Sequence, residues 1–183
     1  MLKNDAWIKA QIPQGMIAGG ELGFKSRGIL SYGVSSFGYD VTLSSELKVM
    51  RSSGVIDPKA AQPAQWDNLE PAWDNVFIIP PHSFVLGCSR EIFDLPRNIT
   101  GLVFPKSTYA RCGLNCYQTV LEAGWQGQIT LEFANNTCAP ILIYANEGCA
   151  QVLFFEGEPP NESYADRHGK YQGQKGVTLA RVY

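Results

Sequence analysis

The feature that most constrains this chain is a succession of short apolar segments, each ended after a few residues by glycine, proline or asparagine. Their length and spacing are typical of β-strands joined by tight turns. The segments predicted as strands are residues 39–43, 46–50, 75–79, 83–89, 100–104, 128–133, 141–144 and 150–155. Many short strands at close spacing indicate a mainly β fold, either a β-barrel or a double-sheet roll.

Two short helices interrupt this pattern. The first is predicted at the N-terminus, where Asn4 or Asp5 can cap a turn of apolar residues that Pro13 ends. The second lies between two predicted strands, and its residue types point to a site. All other segments are predicted as strands, turns or irregular chain.

The internal helix is predicted from Lys106 to Gly113. Ser107 or Thr108 can cap its start, and Gly113 suits the left-handed residue that ends a helix. Free backbone amides, hydroxyl groups and the two cations Lys106 and Arg111 together favour an anion-binding site. A capped connector with solvated charges is the alternative that this segment alone leaves open.

The 183 residues are interpreted as one domain, large enough to bury a core. Residues 60–74 are rich in glutamine, proline and tryptophan without any period, which predicts a surface insertion. Residues 156–183 contain many proline, glycine, lysine and glutamine residues. They are predicted to form either a mobile C-terminal flap or a poorly ordered end.

Charge, apolar stretches and cysteine content limit the partners and the cellular location that we expect for this protein. Fifteen basic residues stand against 17 acidic ones and form no basic run, so a nucleic-acid polymer is not expected as a partner. No apolar stretch has the length of a membrane span, and the first residues lack the apolar core of a signal peptide. A cytoplasmic protein that does not contact a membrane is therefore expected. The five cysteines are interpreted as reduced thiols.

Several known catalytic patterns are missing from the sequence. A zinc deaminase requires an H-x-E motif followed by P-C-x-x-C, but neither His82 nor His168 precedes x-Glu. Cys112 and Cys116 are separated by three residues and have no partner pair, so no zinc site is predicted. The nucleophile elbow of serine hydrolases, the phosphate-binding P-loop and the dinucleotide-binding glycine motif are also missing.

Glu132 is the carboxylate that stands out. Strand alternation places it on the face opposite to three apolar residues of the same segment, Ile129, Leu131 and Phe133. A glutamate in such surroundings is often partly desolvated, which raises its pKa and suits it to proton transfer near neutral pH. An ordinary glutamate on the solvent face of a sheet is the alternative, and it is the commoner case.

An ordered series of sequence blocks resembles the dCTP deaminase family, which shares its fold with trimeric deoxyuridine triphosphatases. The blocks are S-Y-G and S-S-F-G-Y-D (31–33, 35–40), I-D-P-K (56–59), K-S-T-Y-A-R-C-G (106–113), L-E (121–122), G-W-Q-G (124–127), T-L-E-F (130–133), I-Y-A-N-E-G with A-Q (143–148, 150–151), S-Y with D-R (163–164, 166–167) and G-K-Y-Q-G-Q (169–174). The resemblance implies a distorted β-barrel or double-sheet roll of the deoxyuridine triphosphatase type.

The resemblance also implies an activity, hydrolytic deamination of dCTP to dUTP and ammonia without zinc. In that mechanism Glu132 takes a proton from water and passes protons to the base. Ser107 helps to hold the water, and Arg111 stabilises the developing negative charge. The residues implied to bind substrate are Lys106, Thr108, Tyr109, Ala110, Thr119, Val120, Thr130, Leu131, Gln151, Tyr164, Lys170 and Gln174.

The resemblance further implies Mg²⁺, bound through the nucleotide triphosphate and not by protein side chains. It implies a homotrimer whose sites lie between subunits. Some members of the family are inhibited by thymidine triphosphate.

Departures from the family pattern leave three alternatives open. Pro105 stands where glycine is usual, and Tyr117 and Val120 replace asparagine and proline in a stretch that contacts the base. The substrate could therefore be a modified cytosine nucleotide. A bifunctional enzyme that also releases pyrophosphate through Glu122 is the second alternative. A catalytically silent nucleotide sensor is the third.

Overall fold

A computed structural model describes residues 1–51, 54–60 and 64–182 of the chain. Helix α1 (Asp5–Gln11) begins after Asn4, whose side chain accepts a hydrogen bond from the Trp7 amide at 3.1 Å. The predicted N-cap at Asn4 is therefore confirmed. The α-helix ends at Gln11, and Pro13 lies in the short 3-10 helix that follows, Ile12–Gln14.

The remaining regular structure is almost entirely β. In the part of the chain that the structure describes, the strands are β1 (Ile17–Ala18), β2 (Phe24–Ser26), β3 (Ile29–Ser35), β4 (Gly38–Arg51), β5 (Gln65–Asn68), β6 (Val76–Ile79), β7 (Phe84–Ser89), β8 (Ile92–Asp94), β9 (Ile99–Pro105), β10 (Leu114–Cys116), β11 (Thr119–Leu121), β12 (Gln126–Gly127), β13 (Thr130–Asn135), β14 (Ile141–Tyr144) and β15 (Gly148–Glu156). The predicted mainly β fold with one short N-terminal and one short internal helix is confirmed.

One large antiparallel sheet organises the molecule. Its strand order is β10-β13-β7-β4-β15-β9-β11, and β3 and β5 pair with β4 at its two ends while β2 pairs with β3. The long strand β4 crosses both halves of this curled sheet. Its pairing with β7 shifts register between Leu43 and Leu47. The two strands predicted at residues 39–43 and 46–50 are therefore one strand with an irregularity between them.

Two small sheets complete the fold. One has the order β1-β8-β12, and the other pairs β14 with β6. Side chains from all three sheets fill a single large core whose bulkiest fully buried members are aromatic, namely Tyr39, Phe77, Phe93, Phe133 and Phe154. No helix within the described ranges is long and apolar enough to cross a membrane.

Helix α2 (Ser107–Arg111) connects β9 to β10 and has the predicted position. Its predicted cap is wrong, because the N-cap residue is Lys106 and it makes no side-chain capping hydrogen bond. Ser107 and Thr108 lie inside the first turn. Gly113 closes the helix with φ +87°, as predicted, and a Cβ there would come within 2.2 Å of Thr137 Cγ2.

The segment predicted as a surface insertion contains a strand. β5 pairs with β4 so that Trp66 lies opposite Met50, which makes the segment an edge of the large sheet. Residues 61–63 of the same prediction lie outside the described residues. Most strands missing from the prediction, such as β1, β2 and β12, have only two or three residues and carry too little sequence pattern to be recognised.

Candidate active site

A cleft of about 600 Å³ opens beside strand β13. Its floor is the outer face of β13 and β7. The remaining lining comes from β11 and the residues that follow it, from β4, β5 and the segment between them, and from the C-terminal segment, by which we mean residues 157–182. Seven residues predicted to bind or transform substrate line this one cleft, namely Thr119, Val120, Thr130, Glu132, Tyr164, Lys170 and Gln174.

Glu132 lies on the floor of the cleft because of strand alternation. Leu131 and Phe133, its neighbours in β13, are 1% and 0% exposed and point into the core, so Glu132 points the other way and is half-buried. The predicted division of faces is confirmed. Burial raises the pKa of the Glu132 carboxyl above its ordinary value. This partial burial argues against the alternative of an ordinary glutamate on the solvent face of the sheet.

Apolar side chains line one part of the cleft near Glu132. Leu86 is paired directly with Glu132 across the β7–β13 ladder and is 6% exposed. A row of aromatic rings continues from there: the centroid of Phe84 lies 6.1 Å from that of Trp66 and 6.0 Å from that of Tyr117. This apolar end of the cleft borders the face of β13 that carries Glu132, and burial is the cause of the raised pKa of its carboxyl.

The C-terminal segment is docked on the sheet. The indole N–H of Trp125 donates to the Tyr171 carbonyl at 3.0 Å, and the Gly173 amide donates to the Gln126 carbonyl at 2.8 Å. Further along, the Thr178 amide donates to Thr130 Oγ1 at 3.3 Å. These contacts make the segment a wall of the cleft. Tyr183, the last residue of the predicted flap, lies outside the described residues.

Two ion pairs hold the beginning of the C-terminal segment. Arg167 pairs with Glu122, which itself lines the cleft, and Asp166 pairs with Arg97 at 2.7 Å. The Asp166 carboxyl also accepts hydrogen bonds from the Ser163 amide and hydroxyl, and these contacts lower its pKa. Tyr164, which lines the cleft, lies within this held stretch.

The other predicted site residues lie outside the lining of the cleft. Ser107, Thr108, Ala110 and Arg111 are exposed on helix α2. Within the described residues Arg111 forms no ion pair. One copy of the chain therefore presents two separate groups of predicted residues, the cleft and the exposed helix.

Lys106 and Gln151 belong to a third arrangement. The Lys106 ammonium pairs with Asp40 at 2.8 Å and donates to Ser31 Oγ at 3.2 Å. The side-chain amide of Gln151 donates to Asp40 at 3.3 Å and to Ser35 at 3.0 Å. Both residues thus take part in one part-buried polar network with the serine- and aspartate-containing blocks near the N-terminus.

Two predicted contacts are restricted to the backbone. The Tyr109 side chain is 5% exposed, and its hydroxyl accepts a hydrogen bond from the Tyr144 amide at 3.1 Å. The Leu131 side chain points into the core. A ligand in the cleft or at helix α2 can therefore reach only main-chain atoms of these two residues.

Sequence reasoning missed part of the cleft. Tyr171, Thr178 and Ala180 of the C-terminal segment line it, as do the apolar residues Trp66, Phe84 and Leu86. Of the three residues from the C-terminal segment, only Tyr171 lies in a sequence block that had been singled out, Gly169–Gln174. Trp66 lay in a segment without a pattern, so nothing in the local sequence connected it to Glu132.

The described residues contain no group of three or more histidine, cysteine, aspartate or glutamate side chains that could hold a metal ion. Burial raises the pKa of Cys116 to about 12 and that of Cys149 well above its ordinary value. Such thiols are protonated at neutral pH.

Comparison with known proteins defines the class. A family model described as dCTP deaminase-like matches residues 3–157. The chain belongs to this dCTP deaminase-like family. It is 48% identical over 185 aligned residues to the dCTP deaminase of Herpetosiphon aurantiacus and 47% identical over 189 to that of Legionella pneumophila (strain Lens). Each alignment covers 99% of both chains.

A solved structure has the same fold. It is described as a 2′-deoxycytidine 5′-triphosphate deaminase from Agrobacterium tumefaciens and superposes with a TM-score of 0.63 at 18% identity. The match covers 85% of this chain and 48% of the other, so this chain spans about half the length of that solved chain. At this identity the likeness concerns the fold alone.

Proposed function

We propose that this protein deaminates dCTP, giving dUTP and ammonia. The observation that carries the proposal is Glu132, a half-buried carboxyl with a raised pKa on the floor of a cleft of nucleotide size. The proposal is supported by relatives of nearly the same length, 44–48% identical, that are named dCTP deaminases.

The reaction adds water at C4 of cytosine and releases the amino group. Glu132 takes one proton from the attacking water, and the hydroxide oxygen forms a bond to C4. Glu132 gives this first proton to N3 as the double bond between C4 and N3 becomes single. It then takes the remaining proton from the new C4 hydroxyl and gives it to the amino nitrogen, so that the C4 carbonyl forms, the C4–N bond breaks and ammonia leaves. The lining residues Thr119 and Val120 of β11 bracket the ring, while Thr130 lies beside the carboxylate on the same face.

A second copy of the chain completes the site. Ser107 and Arg111 are exposed and do not line the cleft of their own chain. In a homotrimer, helix α2 of one copy faces the cleft of the next. Its Arg111 stabilises the negative charge that develops at C4, and its Ser107 holds the water.

The triphosphate would bring Mg²⁺ to this site, and the ion would neutralise phosphate charge. That arrangement suits an ion whose ligands are phosphate oxygens and water. The proposed chemistry uses Glu132 as the base that activates water, so it requires no zinc-bound hydroxide.

The direct test is product analysis. Purified protein is incubated with Mg²⁺ and dCTP, the nucleotides are separated, and ammonia is assayed. We expect dUTP and ammonia in equal amounts. Deoxyuridine monophosphate with pyrophosphate would instead indicate a second reaction at Glu122. Bound dCTP without ammonia would contradict the proposal and favour a silent sensor.

A modified cytosine nucleotide is the second candidate substrate, because the cleft continues past Glu132 along Leu86, Phe84 and Trp66. This apolar extension suits a substituent at C5, the apolar edge of the ring next to C4. The value of kcat/KM for 5-methyl-dCTP relative to dCTP tests it. A ratio above one favours the modified base, and a ratio far below one favours dCTP.

A further inference from the structure

Gln128 connects the core to the C-terminal segment with both its backbone and its side chain. It lies two residues before β13 and is half-buried. Its amide donates to the Gln174 carbonyl at 3.0 Å, and its carbonyl accepts from the Gln174 side chain at 2.8 Å. Gln174, a residue of the cleft, is therefore held on both sides by the backbone of one residue.

The side chain of Gln128 makes two further hydrogen bonds in opposite directions. Its Nε2 donates to the Ser89 carbonyl at 2.7 Å, and its Oε1 accepts from the Gly176 amide at 2.9 Å. Ser89 is fully buried, and its hydroxyl donates to the Glu91 carbonyl and accepts from the Ile129 amide, both at 2.8 Å. The Nε2 atom of Gln128 is thus bonded to the buried residue Ser89, and its Oε1 atom holds the C-terminal segment at Gly176.

Gly176 is the point where the segment is held. Its φ is +63°, in the left-handed region that favours glycine, and a Cβ there would lie 2.5 Å from a carboxylate oxygen of Glu46. Two residues later, the Thr178 amide donates to Thr130 Oγ1. The turn at Gly176 therefore directs the chain back to the face of β13 that carries Glu132.

We propose that Gln128 is a positioning residue for substrate binding, which holds residues 174–180 as the wall of the cleft. The inference rests on the proposed deamination, because its kinetic readout is the affinity for dCTP. Gln128 itself does not line the cleft. Loss of its side chain weakens nucleotide binding by loosening Gln174, Thr178 and Ala180, whereas the proton transfer at Glu132 keeps its rate once substrate is bound.

The test compares two variants with a matched control. Gln128→Leu removes both side-chain hydrogen bonds and retains the backbone ones. Gln128→Glu keeps an oxygen that accepts from the Gly176 amide. It replaces the Nε2 donor by a second oxygen, which cannot donate to the Ser89 carbonyl. The control is Gln126→Leu, because Gln126 is an exposed amide nearby whose side chain makes one long contact, 3.4 Å to Asp94.

We expect KM for dCTP to rise about tenfold in Gln128→Leu with kcat within about twofold of wild type. Gln128→Glu should raise KM as well, and the control should change neither constant. Hydrogen exchange should show faster exchange of the Gly176 and Thr178 amides in Gln128→Leu. An unchanged KM with unchanged exchange would overturn the proposal.

A fall of kcat together with a general loss of thermal stability would also overturn it, because that result defines a purely structural residue. The two proposals fail in different ways. If the wild-type protein releases no ammonia, the proposed deamination fails. The exchange of the Gly176 and Thr178 amides, with and without bound dCTP, then decides whether Gln128 positions the segment for nucleotide binding.

Discussion

Glu132 lies directly opposite Leu86 across the antiparallel pair of β13 and β7. Residues paired in this way project from the same face of a sheet, so the carboxyl is next to an apolar side chain that is itself almost fully buried. Desolvation disfavours the charged form of a carboxyl and raises its pKa. The pairing with Leu86 thus contributes to the burial that raises the pKa of Glu132, the carboxyl that the proposed reaction uses as a base.

The pH dependence of catalysis should reveal this carboxyl. Glu132 must be ionised to accept a proton from water, so kcat/KM should fall as the pH drops through its pKa. Because burial raises that pKa, the acidic limb should have its midpoint above 4.5, the ordinary value for glutamate. A pH series of ammonia release with dCTP measures it. A midpoint at or below 4.5 would mean that a neighbouring positive charge, such as that of Arg111 from the next copy, outweighs the effect of burial.

A substitution at Leu86 should shift the acidic limb of the pH profile of kcat/KM. In Leu86→Asn a polar side chain faces Glu132 and its amide can donate to the carboxylate, which stabilises the ionised form. The acidic limb should shift to lower pH. Leu86→Met, which preserves volume and apolar character, is the control and should leave the limb in place. Equal pH profiles for all three proteins would show that Leu86 does not set the pKa.

Mixed oligomers test whether two copies share a site. Arg111→Ala and Glu132→Gln should each be nearly inactive alone. If a site combines helix α2 of one copy with the cleft of another, randomly mixed subunits in equal amounts should recover about a quarter of wild-type ammonia release. Coexpression of the two variants, with the mass of the oligomer measured, provides the test. Recovery near zero in confirmed mixed oligomers would place both residues in one chain's site.

A buried carboxyl away from the cleft should govern stability. Glu91 is 1% exposed and accepts hydrogen bonds from the Thr42 amide and the Tyr39 hydroxyl, both at 3.1 Å. Burial is the largest influence on Glu91 and raises its pKa. The folded state therefore binds the proton more tightly than the unfolded state, and the free energy of unfolding should fall as the pH rises from 4.5 through the pKa in the folded protein.

Glu91→Gln removes this titration and retains an oxygen that accepts both hydrogen bonds. Urea unfolding at a series of pH values should give a flatter pH dependence for the variant than for wild type in that range. Parallel curves would mean that Glu91 does not change its protonation on unfolding.

The local part of the fold and site was predictable from the sequence. Alternation along β13 identified the face of Glu132, and the residue types around Lys106 and Gly113 identified helix α2. These features depend on neighbours in sequence, which is the information that a periodic pattern contains. The strand β4 was divided in the prediction because its register shift interrupts the pattern near Ser44 and Ser45.

The long-range part was not predictable. Trp66 reaches the cleft because β5 pairs with β4, and Thr178 reaches it through a hydrogen bond to Thr130, 48 positions earlier in the chain. No local signal encodes either contact. The resemblance implied sites between subunits, but no local pattern indicated that Arg111 lies outside the lining of its own cleft, which is visible only in the folded molecule.

The central claim is that Glu132 performs the proton transfers of deamination, and the Glu132→Gln protein tests it most directly. dCTP binding and ammonia release are measured side by side in wild type, in Glu132→Gln and in Glu158→Gln, an exposed glutamate outside the cleft. We expect the Glu132 variant to bind dCTP with nearly normal affinity while ammonia release falls by roughly 10²–10⁴-fold, and the Glu158 variant to behave as wild type. Ammonia release at the wild-type rate from Glu132→Gln would contradict the mechanism.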